Sequence, residues 1–290
     1  MTQTESRRSV LYVPATSTKA MAKVATLACD AVIFDLEDAV APEAKAEARE
    51  NLRGFFGATQ PPASQEWVIR INATPDGLSA EDVEAVAACA SHAMLIPKLE
   101  RTETLGAARK MLAERTQAKI RLWAMIETPL GIVDLRELAA FGARQEIGLE
   151  CFVAGTNDIA KETGLPLPEG RRTMEHWLAS LVLHARAFGI DAVDGVYNDF
   201  RDEDGFVAEC RAGALLGFDG KTLIHPAQIG PANATFSPSE AAVADAKAVV
   251  EAFALPENAG KGVISINGKM VELLHLHIAR KVLAKARIPA

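Results

Sequence analysis

Two carboxylates, Glu127 in MIETPLG and Asp158 in GTNDIAKET, each follow a short apolar run, and no histidine or cysteine accompanies either. Oxygen ligands without nitrogen or sulfur favour a hard cation. Mg²⁺ in particular takes one or two carboxylates and completes its shell with water and substrate oxygens. Both residues also have plainer uses, Asp158 as the cap of a following helix and Glu127 as a rim ion-pair partner. Arg70 interrupts the apolar stretch WVIRIN. A buried guanidinium is costly unless it faces an anion. It either polarises a substrate carbonyl or carboxylate, or it bridges internally to Asp35, Glu37 or Glu127. The segment FDLEDAV supplies Asp35, Glu37 and Asp38 together. Such a trio can orient Arg70 or hold the water around a cation, with at least one member spent on structure.

Two further groups invite chemistry. Lys98, in LIPKLE, raises a Schiff-base aldolase reading, since a desolvated lysine at a strand end can attack a carbonyl. The carboxylate pair argues instead for a metal route, which stabilises an enolate without a covalent lysine. His225, before Pro226, is either an acid–base group or a loop-holding hydrogen-bond partner. No G-x-S-x-G turn occurs, and no serine or cysteine is obviously partnered with a histidine.

The elements that must position these groups alternate. Short apolar runs at 9–14, 31–35, 67–72, 93–97, 120–127, 151–155, 191–194 and 221–225 read as strands. Between them, stretches at 18–28, 43–55, 80–91, 101–115, 131–141, 172–188 and 205–216 have helical period. Continuous apolar strands belong to a parallel sheet covered on both faces. Eight strand–helix units, with no glycine-rich dinucleotide turn after the first strand, predict a closed (β/α)₈ barrel, a TIM barrel. Each strand ends on a polar or special residue: Pro14, Asp35, Asn72, Pro97, Glu127, Gly155, Asp194 and His225. That end is where this fold carries its active site. Thr128-Pro129 predicts a helix cap directly after Glu127. An amphipathic helix at 237–253, a strand–turn at 263–270 and a last helix at 272–286 exceed what eight units need. The expected division is a barrel over 1–232 and a C-terminal helical extension or lid over 233–290.

The chain has 290 residues, 49% of them hydrophobic, and a formal net charge of −7. With no basic run, nothing invites a nucleic-acid backbone. No apolar segment is long enough to span a bilayer, and the polar N-terminus lacks a signal core. Cys29, Cys89, Cys151 and Cys210 show no C-x-x-C spacing. That pattern fits buried thiols in a reducing compartment, with the cytoplasm the expected location.

Taken in order, these motifs resemble the citrate lyase beta-subunit/malyl-CoA (citramalyl-CoA) lyase family of the HpcH/HpaI aldolase superfamily. The resemblance is carried by RSVLYVPAT (8–16), VIFDLEDAVAPEAKAEAR (32–49), the arginine of VIRIN, the PK of LIPK and the IET of MIETPLG. GTND, GKTLIHPAQI (220–229) and GKMV near the C-terminus complete it. It implies Mg²⁺ on Glu127 and Asp158, with Gly155 beside the substrate and Arg70 polarising its oxo group. Glu37 and Asp38 would support the water around the metal, and Arg8 and Lys19 would contact the phosphates of coenzyme A. The reaction implied is reversible Claisen-type cleavage of a 3-hydroxyacyl-CoA (malyl-, citramalyl- or citryl-CoA) to an acyl-CoA and a 2-oxo acid. Homotrimers or dimers of trimers are expected, with the C-terminal segment closing a neighbour's site. Two blocks depart from the pattern: the family's ETARG reads ETPLG, and its lid aspartate is replaced by Glu272. A metal aldolase on free 2-oxo acids and a non-catalytic oxo-acid-binding homologue are the alternatives.

Overall fold

A computed structural model of the chain describes residues 6–74, 77–166 and 171–286. Eight strands form its centre: β1 (Ser9–Pro14), β2 (Ala31–Asp35), β3 (Glu66–Arg70), β4 (Ala93–Ile96), β5 (Arg121–Ile126), β6 (Leu149–Ala154), β7 (Asp191–Asp194) and β8 (Gly220–Leu223). Every pairing is parallel, neighbours follow chain order, and β8 returns to β1, so the expected barrel closes.

The surrounding helices are α1 (Thr18–Met21), α2 (Lys45–Ala58), α3 (Ala80–Cys89), α4 (Thr102–Ala113), α5 (Pro129–Val133) and α6 (Leu135–Gly142). They continue with α7 (Thr156–Thr163), α8 (Glu175–Phe188), α9 (Glu203–Leu216) and α10 (Ile229–Phe236). Two expected helices are shorter than their periodicity suggested. The first stops at Met21 and resumes as a 3₁₀ turn, Val24–Thr26, while the segment after Glu127 breaks at Asp134 into α5 and α6.

Strand alternation sorts side chains into two layers. Val10, Ile33, Val68, Leu95, Trp123, Val153 and Val193 fill the barrel interior. The intervening positions face the helices. Phe34 and Trp67, for example, pack with Phe55 of α2 at ring separations of 5.6 and 5.0 Å. Continuing the inward series past the core reaches Asp35, Arg70, Glu127 and Gly155. Pleat parity therefore carries these four into one mouth.

The opposite end is plugged by charge. Arg7 pairs with Glu66 at 2.9 Å and Asp191 at 2.6 Å, while Arg121 reaches Glu66 at 2.7 Å. Arg7 also lies over the Trp123 ring, 4.9 Å from its centroid.

The chain divides into two compact units, Arg7–Thr235 and a C-terminal one from Phe236. The latter contains α11 (Glu240–Ala254), a hairpin of β9 (Val263–Ile266) and β10 (Lys269–Glu272), and α12 (Leu273–Lys285). Asn267 and Gly268 turn the hairpin with φ of 50° and 77°, the left-handed pair that an Asn-Gly turn supplies. Ala246, Ala279 and Leu283 form this unit's own small core. No helix among the described residues is long and apolar enough to cross a membrane. All four cysteines are free thiols, three of them buried.

Candidate metal and substrate site

Glu127 follows β5 directly and is fully buried. Thr128 caps α5 by accepting the Gly131 amide at 3.1 Å, as its sequence predicts, and this ends the strand at the carboxylate. One carboxylate oxygen, Oε1, accepts the backbone N–H of Lys98 at 2.8 Å. The other, Oε2, is buried without a hydrogen-bond partner. Gly155 makes the space: a Cβ there would stand 2.3 Å from Glu127 Cβ and 2.7 Å from Oε2. Burial first, then the negative charge of Glu37, pushes the Glu127 carboxyl up to about 8, and Asp158 adds to the shift. A buried acceptor left open on one side, among other carboxylates, is an environment that a cation would relieve.

Asp158 lies in the first turn of α7, whose N-cap is Gly155 with no side-chain cap bond. Neither plainer use is realised: Asp158 does not cap, and Glu127 makes no ion pair among the described residues. No group of three potential metal-ligating side chains occurs among the described residues either. Two carboxylates suit Mg²⁺, which leaves most of its shell to water and substrate.

Arg70 ends β3. Its Nε and Nη2 donate to the two oxygens of Asp35 at 2.7 and 2.6 Å, a forked pairing that fixes the guanidinium plane. Asp35 also accepts the amides of Glu37 and Ala39, so it is the structural member of the acidic trio. Nη1, on the other edge, lies 2.9 Å from Glu37 Oε2 and 3.8 Å from Asp38. The Glu37 contact is an ion pair by distance, but Oε2 is not aligned to accept a hydrogen bond. Below, the Tyr12 ring sits 5.0 Å from the guanidinium carbon, and Met125 Sδ lies 3.6 Å from Nη1. Tyr12 and Met125 line the site although nothing in their sequence context marks them. Inward parity was the one available signal. Lys45 and Asn72 hold the loop carrying Glu37 by donating to the Leu36 carbonyl at 2.7 and 2.9 Å.

Several strand-end residues take structural roles instead. Asp194 has the outward parity of β7 and is buried between barrel and helices with Lys221 and Arg171. His225 accepts the Ala227 amide at 3.2 Å and stacks on Phe200 at 4.5 Å, so it holds its loop. Lys98 pairs with Glu37 at 2.7 Å. Partial burial would lower its pKa, but the Glu37 carboxylate outweighs this and raises it, which is the wrong direction for a Schiff-base nucleophile. Arg8 is a correction. It precedes β1 at the end of the barrel away from Glu127, and Asp30 engages its Nε and Nη2 at 2.8 Å each. Lys19, on α1, is exposed at the end of β1 that leads to the mouth. Glu272 closes the hairpin and precedes α12, its amide bonded to His275 Nδ1 at 2.9 Å.

Residues 8–226 match the family model described as HpcH/HpaI aldolase/citrate lyase. The chain belongs to this family. Among curated members, a (3S)-malyl-CoA thioesterase of Cereibacter sphaeroides is 44% identical over 279 residues, 96% of this chain and 94% of that protein. The mitochondrial citramalyl-CoA lyase of Rattus norvegicus is 30% identical over 296 residues, covering 97% and 86% of the two chains. Of solved structures, CitE from Mycobacterium tuberculosis in complex with magnesium, acetoacetate and coenzyme A superposes with a TM-score of 0.74. It is 30% identical and covers 97% of this chain and 98% of its own.

Proposed function

We propose that this family member is a Mg²⁺-dependent carbon–carbon lyase, or the reverse condensing enzyme, acting on a short 3-hydroxyacyl-CoA of the malyl, citramalyl or citryl kind. The observation that carries the reading is the buried, unpartnered Glu127 Oε2, in a mouth it shares with Arg70, whose Nη1 faces Glu37. Glu127 and Asp158 would hold the ion. Bound Mg²⁺ supplies Lewis acidity toward substrate oxygens and so lowers the cost of negative charge there. Arg70, its plane fixed by Asp35, would share the two N–H groups of Nη1 between Glu37 and an oxo or carboxylate oxygen of the substrate. Glu37 and Asp38 keep that edge oriented and accept hydrogen bonds from nearby water.

In the cleavage direction the hydroxyl proton passes to water acting as the base, and a carbonyl forms on the oxo-acid fragment. The broken C–C pair passes into the thioester as an enolate, which is protonated at its α-carbon. Glu272 is the proposed group for that last proton, in the position of the family's aspartate, and Lys19 the proposed phosphate contact for coenzyme A.

Thioester hydrolysis is the second reading, favoured by the 44% identical malyl-CoA thioesterase. Incubating the purified protein with Mg²⁺ and malyl-, citramalyl- or citryl-CoA separates the two. A 2-oxo acid trapped as its phenylhydrazone, with acyl-CoA and no free thiol, supports the lyase. Stoichiometric thiol with the free hydroxy acid supports hydrolysis. Turnover of free 2-oxo acids alone, or binding without turnover, removes both. If Glu272→Ala leaves the rate unchanged, Glu272 has no part in proton transfer.

A further inference from the structure

Lys98 has a φ of 49°, in the left-handed region that non-glycine residues rarely occupy. Ala90 and Asn267 are the other such residues described, and each has a local reason, the C-cap of α3 and the hairpin turn. Lys98 has neither. Glycine would adopt this conformation without cost. Lysine in its place calls for a use of the side chain, because backbone strain persists where the surroundings impose it and gathers at functional sites. Two contacts supply that use. The backbone N–H donates to Glu127 Oε1 at 2.8 Å, and Nζ meets Glu37 Oε1 at 2.7 Å. Glu37 is itself buried and meets Arg70 through its second oxygen at 2.9 Å. One strained residue thus ties the carboxylate of the metal half to the guanidinium of the oxo-acid half.

We propose that Lys98 is a positioning residue for 2-oxo-acid recognition, its backbone setting Glu127 and its ammonium holding Glu37 against Arg70. The proposal rests on the functional reading above and adds the division of labour. Any side chain keeps the N–H to Glu127, whereas only a cation keeps Glu37 in place.

The two halves therefore separate on substitution. In K98M, pyruvate affinity measured by calorimetry in saturating Mg²⁺ falls at least about tenfold, the range for losing a hydrogen bond to a charged group. Mn²⁺ affinity, measured by electron paramagnetic resonance, stays level or rises, because a cation has left the neighbourhood of Glu127. K98R regains pyruvate affinity to within about threefold of the parent, since it restores the charge. A residue with only a folding role would lower both affinities together. The strain is read separately: K98G melts above K98A, reversing the usual order in which alanine is the more stable. Pyruvate affinity retained in K98M, joint loss of both affinities, or K98A melting above K98G would each overturn the proposal. A parent that binds neither Mn²⁺ nor pyruvate would sink the functional reading, and the role of Lys98 with it. Normal parental binding with an unaffected K98M sinks this proposal alone.

Discussion

At Glu127, protonation and cation binding compete for the same oxygen. Its carboxyl is raised from an ordinary 4.5 to about 8, chiefly by burial and then by Glu37. Because the folded state holds the proton more tightly than the unfolded chain, this group stabilises the metal-free fold fully below the unfolded value. That contribution is lost as pH rises toward about 8. A divalent ion needs the deprotonated form, so its stabilising effect grows over the same window. The rise in melting temperature on adding Mg²⁺ should be larger at pH 8 than at about pH 6, and Glu127→Gln should abolish it. A Mg²⁺ shift that is independent of pH in the parent would contradict this. Arg70→Lys should lower kcat by about 10²–10³, since a point charge cannot keep the fork to Asp35 and still direct a donor at the substrate. Parental kcat in that variant would show that Arg70 is only an internal ion-pair partner.

Among the elements, the turn from β6 into α7 is sterically committed to glycine. Gly155→Ala would drive a Cβ into Glu127, with its nearest atom at 2.3 Å. Overpacking of this kind costs about 1–3 kcal/mol, and here the atom displaced belongs to the proposed ligand. The variant should lose Mn²⁺ affinity together with thermal stability, and Mn²⁺ binding at the parental level would refute the cradle. On β7, parity turns Asp194 outward to Lys221 and Arg171. Burial alone would raise its pKa, but the two cations outweigh burial and lower it. A depressed carboxyl stabilises the fold above its unfolded pKa and loses that contribution as pH falls. Asp194→Asn should therefore cost about 1–3 kcal/mol in urea unfolding near neutral pH, because Lys221 and Arg171 are then left with Glu209 alone, at 2.6 and 3.5 Å. It should also flatten the acid limb of the stability profile. Unchanged urea midpoints would show the cluster to be solvated.

For the molecule as a whole, the C-terminal unit exposes Met270, Leu273, Leu274 and Ile278, side chains that a solitary chain gains nothing by leaving in water. Such a face would gain from being covered by a second copy of the chain. Static light scattering at micromolar concentration should give a mass above that of one chain, and a stable monomer would refute self-association. The floor of Arg7, Glu66, Asp191 and Arg121 lies at the end of the barrel away from the mouth, and there it closes the interior. Charges at that end serve stability, which is also where Arg8 belongs with Asp30.

Local pattern was enough to specify the barrel, because continuous apolar runs joined by helical stretches admit few other closed packings. It also nominated Glu127, Asp158 and Arg70 as candidates, though by the same sign it nominated Asp194, which the structure gives to a buried ion-pair cluster. Only the tertiary structure decided which strand-end residues share a mouth. Pleat parity sends Asp35, Arg70, Glu127 and Gly155 inward and Asp194 outward, and strand direction puts Arg8 at the wrong end. The same is true of Tyr12 and Met125, apolar in pattern yet set under a guanidinium, and of the left-handed Lys98. A side chain's partners and a backbone's strain depend on segments far apart in the chain, so no window of sequence contains them.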